Sequence, residues 1–226
     1  MARYACRPIP PRPEGRGFSG FPVKVAIFSD VHANLPALET FLRATRDADQ
    51  YVCLGDTVGY GPWPDECAEI VAERCEWAKC EGNHERLHLG TERVKKQKPL
   101  VRAFYRHTRE WFTKAHLIRG HADMLNCYGY LAQHIDDGLS PALVGHSHRQ
   151  QTLPTEHGPI IHVGSVGQNR TAIDAAEWAE LDTETGAITL RRKIYPFDKL
   201  IAEMRSRHYP TECIDYYLNK PRAPLP

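Results

Sequence analysis

Four short clusters in this 226-residue sequence have the residue types and spacing of metal ligands: Asp30-x-His32, Gly55-Asp56, Gly82-Asn83-His84 and Gly145-His146-x-His148. In an extended turn, residues i and i+2 point the same way. Asp30 and His32 can therefore grip one cation, and His146 and His148 can reach into one pocket. Carboxylate, imidazole and amide oxygen together suit borderline to hard divalent metals such as Mn, Fe, Zn or Ni. No cysteine falls in the clusters, which argues against a closed structural zinc site. Glycine before Asp56, Asn83 and His146 lets the chain turn sharply and a ligand approach closely.

Residues 118 positions apart, Asp30 and His148, can share a site only if the fold delivers them to one place. The run Val23–Ser29 is β-branched and apolar, as a buried strand should be. Asn34 offers an N-cap, Pro36 sits just inside the helix start, and Leu35, Leu38, Phe41 and Leu42 follow at helical spacing. A strand over 51–54, a helix over 65–74 and a strand over 77–80 continue the alternation, which predicts βαβ units and a sheet that starts out parallel. Residues 86–119 read as largely helical. Strands are predicted over 124–133, 142–144 and 160–163, then a hairpin over 177–195 around Thr185-Gly186 and a helix over 198–207. Each cluster thus follows a strand, and the carboxyl ends of strands in an open α/β sheet line a common crevice.

Composition narrows the function classes. There are 29 Lys+Arg against 28 Asp+Glu, a net charge of +1, which argues against a coat for nucleic acid or an anionic membrane. The longest apolar run, Val25–Phe28, is too short to span a bilayer, and no basic region followed by an apolar stretch opens the chain, so no membrane anchor or secretory leader is expected. Seven scattered cysteines without CxxC spacing are expected to be reduced, mostly buried thiols of a cytoplasmic protein. Residues 1–22, rich in Pro and Arg, read as a flexible tail. The expected organisation is that tail, a domain over 23–210 and a C-terminal extension over 211–226.

The four clusters in this order resemble the calcineurin-like metallophosphoesterase superfamily, closest to its small bacterial phosphodiesterase branch. The resemblance runs from about Val23 to Ile194 and includes the contexts Ser29–Leu35, Leu54–Pro62 and Gly164–Arg170. It implies an α/β (α+β) fold, a four-layer αββα sandwich of two mixed β-sheets flanked by helices, with a two-metal centre at the strand ends. It further implies a metal-dependent phosphoesterase acting on a phosphodiester or phosphomonoester of a small substrate, a nucleotide among the candidates, with a water activated by the two cations as nucleophile. Manganese is among the metals expected.

Carried over residue by residue, Asp30, His32, Asp56 and His148 would hold the first metal. Asp56, Asn83, His146 and one more histidine would hold the second, with Asp56 bridging because a carboxylate offers two anionic oxygens. His134, at the end of the strand read over 124–133, is favoured as that last ligand, and His121 is the alternative. His84 would face the phosphate, stabilising its oxygens or protonating the leaving group. Arg170 would clamp a substrate phosphate through bidentate bonding. Glu85 is expected in a supporting or solvent-facing role, and His162 within a strand as a core or supporting group. His88, His107, His116, His157 and His208 are read as surface residues. No Gly-x-Ser-x-Gly elbow occurs, which disfavours a serine hydrolase. A protein phosphatase and a non-catalytic binding module of the same fold remain the alternatives. No stable nucleic-acid complex is expected, and the sequence is silent on oligomeric state.

Overall fold

The computed structural model describes residues 24–75, 79–90, 93–109, 141–156 and 158–224. Two mixed sheets carry the architecture. The first runs in the order β2-β1-β6-β7, from Gln50–Cys53 (β2), Lys24–Phe28 (β1), Ala175–Asp182 (β6) and Ile188–Ile194 (β7). β1 pairs parallel with β2 and antiparallel with β6, and β6 pairs antiparallel with β7. The second sheet is β3-β5-β4, from Ala142–Val144 (β3), Gln150–Leu153 (β4) and Ile160–Val163 (β5), with β3 and β5 parallel. The parallel start and the late hairpin agree with the sequence reading. Of the strand expected over 77–80, residues 79 and 80 are described, and Lys79 forms a parallel bridge with Cys53.

Strand periodicity shows which face each residue serves. On β1, Ala26 and Phe28 point to the helical side, into the main core with Leu38, Phe41, Trp178, Leu200 and Met204. Val25 and Ile27 point the other way and pack with Val163 of β5 and Ala179 of β6, a smaller core between the sheets. Burying a side chain such as Phe41 or Leu38 stabilises the fold by roughly 1.5–3 kcal/mol each. Three layers of the expected sandwich are thus built by described residues: helices, first sheet, second sheet.

The described α-helices are Leu35–Ala44 (α1), Pro64–Arg74 (α2), Asn83–Leu89 (α3), Pro99–Thr108 (α4), Phe197–Ser206 (α5) and Thr211–Leu218 (α6). α1 starts as its sequence requires: the Asn34 side chain accepts from Ala37 N at 3.3 Å and Pro36 occupies the first turn. The same Asn34 amide donates to Gly167 O at 2.8 Å, so one residue caps the helix and fixes the β5–β6 loop. α6 was not anticipated from sequence. It places Cys213 and Tyr217 in the main core against Phe104 and Phe197.

Two sequence readings need correction. Cys80 is disulfide-bonded, so the thiols are not all reduced; its partner lies outside the described residues. Scattered spacing in sequence cannot reveal which cysteines fold side by side. His88, read as a surface residue, is 1% exposed, because α3 turns that face inward toward Tyr105 of α4. The strand expected over 124–133, with His121 and His134, lies outside the described residues, as do His116, His157 and residues 1–22.

Candidate metal centre

The clusters meet because the parallel ladder between β1 and β2 continues beyond both strands. Asp30 N donates to Gly55 O at 3.0 Å, His32 N to Asp56 O at 3.0 Å and Ala33 N to Thr57 O at 2.8 Å. On the other side, Val166 N donates to Ser29 O and Gly167 N to Asp30 O, both at 3.0 Å, and the Ser165 hydroxyl donates to Asp30 O at 2.8 Å. The second sheet is tied in by the loop after β3, where His146 N donates to Asp30 Oδ2 at 2.9 Å. Gly145 permits this approach, since a Cβ there would collide with the Ser29 side chain.

Local geometry here is costly. Asp30, His32, Asp56, His146 and His148 all have positive φ, between 50° and 66°. Left-handed backbone costs a non-glycine residue roughly 1–2 kcal/mol, and such outliers cluster where surrounding structure holds them for a purpose.

Asp30, His32 and His148 offer ligand atoms within 4.8 Å of one another, and all three side chains are buried. His32 Nδ1 lies 3.1 Å from Val58 O, and His148 Nδ1 lies 2.8 Å from Gln168 O. A carbonyl only accepts, so both Nδ1 atoms carry hydrogen and, in the neutral rings, both Nε2 atoms present lone pairs. Those Nε2 atoms are 3.2 Å apart, and Asp30 Oδ1 lies 3.2 Å from one and 3.6 Å from the other. No hydrogen bond of good geometry reaches Asp30 Oδ1. A fully buried carboxylate oxygen facing two imidazole lone pairs is an arrangement a cation resolves, and the donor set fits a divalent metal.

Asp56 and His146 are not among these mutually close donors, though the Asp30 charge acts on both. Asp56 Oδ1 accepts from His84 N at 2.8 Å, and a Cβ at Gly82 would strike that carboxylate. Asn83 Oδ1 is buried without a hydrogen-bond partner. The His84 ring stands 4.7 Å from the His32 ring and 4.7 Å from Tyr60. Arg170 N donates to His148 O at 3.0 Å, which puts this exposed arginine at the rim.

Electrostatics follow from burial. Burial pushes the Asp56 carboxyl up to about 7, helped by the neighbouring Asp30 charge. Burial lowers His32 and His146, and lowers His84 far below the usual imidazole range, so these rings are neutral. Burial also acts to lower His148, but the Asp30 carboxylate outweighs it and raises this ring.

One residue was underrated by sequence reading. Glu85 is fully buried, and its carboxylate accepts backbone hydrogen bonds from Asp56, Thr57, Val58 and Gly82. Its signal was a glutamate at the third position of a helix, where the carboxylate reaches back to the Gly82 N–H, one half of a capping box. His162 is half-buried on β5.

Known proteins resemble this chain at several levels. A family model described as calcineurin-like phosphoesterase matches residues 23–184. The fold superposes on a metallophosphoesterase from Sphaerobacter thermophilus with a TM-score of 0.68 and 24% identity, covering 88% of this chain and 100% of that one. It superposes on a hypothetical protein from Pyrococcus horikoshii with a TM-score of 0.72 and 18% identity, covering 89% and 100% respectively. An uncharacterized protein of Methanocaldococcus jannaschii is 41% identical over 71 residues, which span 30% of this chain and 28% of that protein.

Proposed function

Because the chain belongs to the calcineurin-like phosphoesterases, hydrolases of phosphoric ester bonds, we propose that it cleaves a small phosphodiester or phosphomonoester, a nucleotide among the candidates, with two divalent cations. The observation that carries this reading is the buried Asp30 Oδ1, without a hydrogen bond and facing His32 and His148. Asp30, His32, Asp56 and His148 would hold one cation, and Asp56, Asn83, His146 and His134 would hold the other. When bound, such cations would polarise phosphoryl oxygens, acidify the water that serves as nucleophile and offset charge developing in the transition state.

The chain's own groups do the positioning. Val58 O and Gln168 O fix the tautomers of His32 and His148, so each ring presents Nε2 to the centre. His84, neutral because it is buried, donates its one N–H as a hydrogen bond to a phosphoryl oxygen. Its ring is held by Tyr60 on one side and by the absence of a side chain at Gly59 on another, where a Cβ would meet Nδ1. Arg170 at the rim pairs with the remaining phosphate oxygens.

The test is a turnover panel of bis- and mono-esters, with Mn, Ni, Zn and Mg each added to metal-stripped protein. Hydrolysis that depends on added metal supports the reading. Metal binding without turnover of any ester would favour a binding module. Metal content of His134→Ala against His121→Ala decides the last ligand: loss only in His121→Ala would overturn the assignment to His134.

A further inference from the structure

Glu85 occupies the third position of α3, and none of its side chain is exposed. Its Oε1 accepts from Thr57 N at 2.6 Å and Val58 N at 3.2 Å, and its Oε2 from Asp56 N and Gly82 N, each at 2.8 Å. Four backbone donors thus converge on the two oxygens, which have about four lone-pair sites between them. No lysine or arginine bonds this carboxylate among the described residues; peptide N–H groups offset part of its burial, which still pushes the carboxyl up.

Each of those donors lies one step from a proposed metal ligand. The 56–58 backbone carries Asp56 itself. Val58, whose N–H is held by Glu85, offers its carbonyl to His32 Nδ1 at 3.1 Å. Gly82 precedes Asn83, and the same helix start sends His84 N to Asp56 Oδ1. The α3 start and the β2–α2 loop therefore share a single clamp, with ligands hanging from both sides of it.

We propose that Glu85 is the positioning residue of the metal centre, setting Asp56, Asn83 and the orientation of His32 through the backbone N–H groups it binds. It touches neither metal nor substrate. The inference rests on the reading that Asp56 and His32 are metal ligands. Glutamine cannot replace it, because an amide offers one oxygen and would press its own N–H groups against two of the four donors.

The experiment is a calorimetric titration of metal-stripped protein with Mn²⁺, paired with amide hydrogen exchange of residues 54–60 and 82 in the metal-free state. Glu85→Gln is expected to weaken Mn²⁺ binding by about 10–100-fold, the usual cost of losing a partner behind a ligand, and to speed exchange at 56–58 and 82. Glu85→Asp keeps the charge with a shorter reach and is expected to fall between the two. Should Glu85→Gln fail to fold, Glu85→Asp alone carries the comparison, run well below its melting temperature. Unchanged Mn²⁺ affinity in a folded Glu85 variant overturns the inference, even if its melting temperature falls, since that marks a purely structural role. Unchanged exchange at 56–58 and 82 overturns it too. A wild-type protein that binds no Mn²⁺ removes the underlying metal reading, and is told apart because the failure precedes any substitution.

Discussion

His84 and His148 lie close together, yet burial and charge give them opposite characters. His84, kept neutral, is assigned to the phosphate and not to a cation. His84→Ala is therefore expected to lower turnover by roughly 10²–10⁴-fold while metal content by elemental analysis stays at the wild-type level. Loss of a metal equivalent would make His84 a ligand. His148 is raised by Asp30, and Asp56 stands at about 7, so near pH 6 the metal-free site holds protons that an entering cation must displace. As pH rises through about 7 the Asp56 carboxyl gives up its proton. Apparent metal affinity should therefore rise between pH 6 and 8. At pH 6.5 the measured binding heat should change with the ionisation enthalpy of the buffer; a pH-independent affinity contradicts this. The candidate donors were legible in the sequence because carboxylate and imidazole are common ligand types for divalent metals, and Asp30, His32 and His148 do converge. Glu85 was harder to read, since its work is done on backbone N–H groups that leave no trace in residue type.

Elements repeat this contrast. α1 was legible to within a few residues because its cap, its proline and its apolar spacing agree. α6 was missed: it begins after Pro210 without a side-chain cap, and a run of Thr-Glu-Cys-Ile-Asp-Tyr-Tyr gives a weak apolar stripe until Tyr217 is seen buried. β4, Gln150–Leu153, escaped as well, being mostly polar and exposed and defined mainly by its pairing with β5. The α6 packing has a measurable consequence. Tyr217→Ala empties a fully buried position between Phe104 and Phe197 and is expected to cost about 3 kcal/mol in a denaturant titration, within the range for large-to-small core changes. A cost under about 1 kcal/mol would mean that α6 is not part of the cooperative core.

The molecule as a whole is two sheets meeting at one loop cluster. Asp30 and His32 come from the first sheet, and His146 and His148 from the loop after β3 of the second. A cation held by both sets ties the sheets together. Saturating Mn²⁺ should therefore raise the melting temperature of stripped protein, with a gain near 2.7 kcal/mol at a hundred times the dissociation constant. Asp30→Asn should blunt that rise, and an undiminished shift in that variant would place the cation elsewhere. The contact between His32 and His148 also spans 116 residues of chain, which bears on how the protein comes into being. At synthesis rates of about 5–20 residues per second, the ribosome makes the second half of the site roughly 6–23 seconds after the first. During that interval Asp30, His32 and Asp56 have no His148 to join them, and a growing chain would hold metal weakly at most. Long-range pairings of this kind close late, so the centre is finished only after both sheets are in place. Loading with metal would then be a step that follows folding, and its outcome would depend on which cation is free once both halves of the site are made.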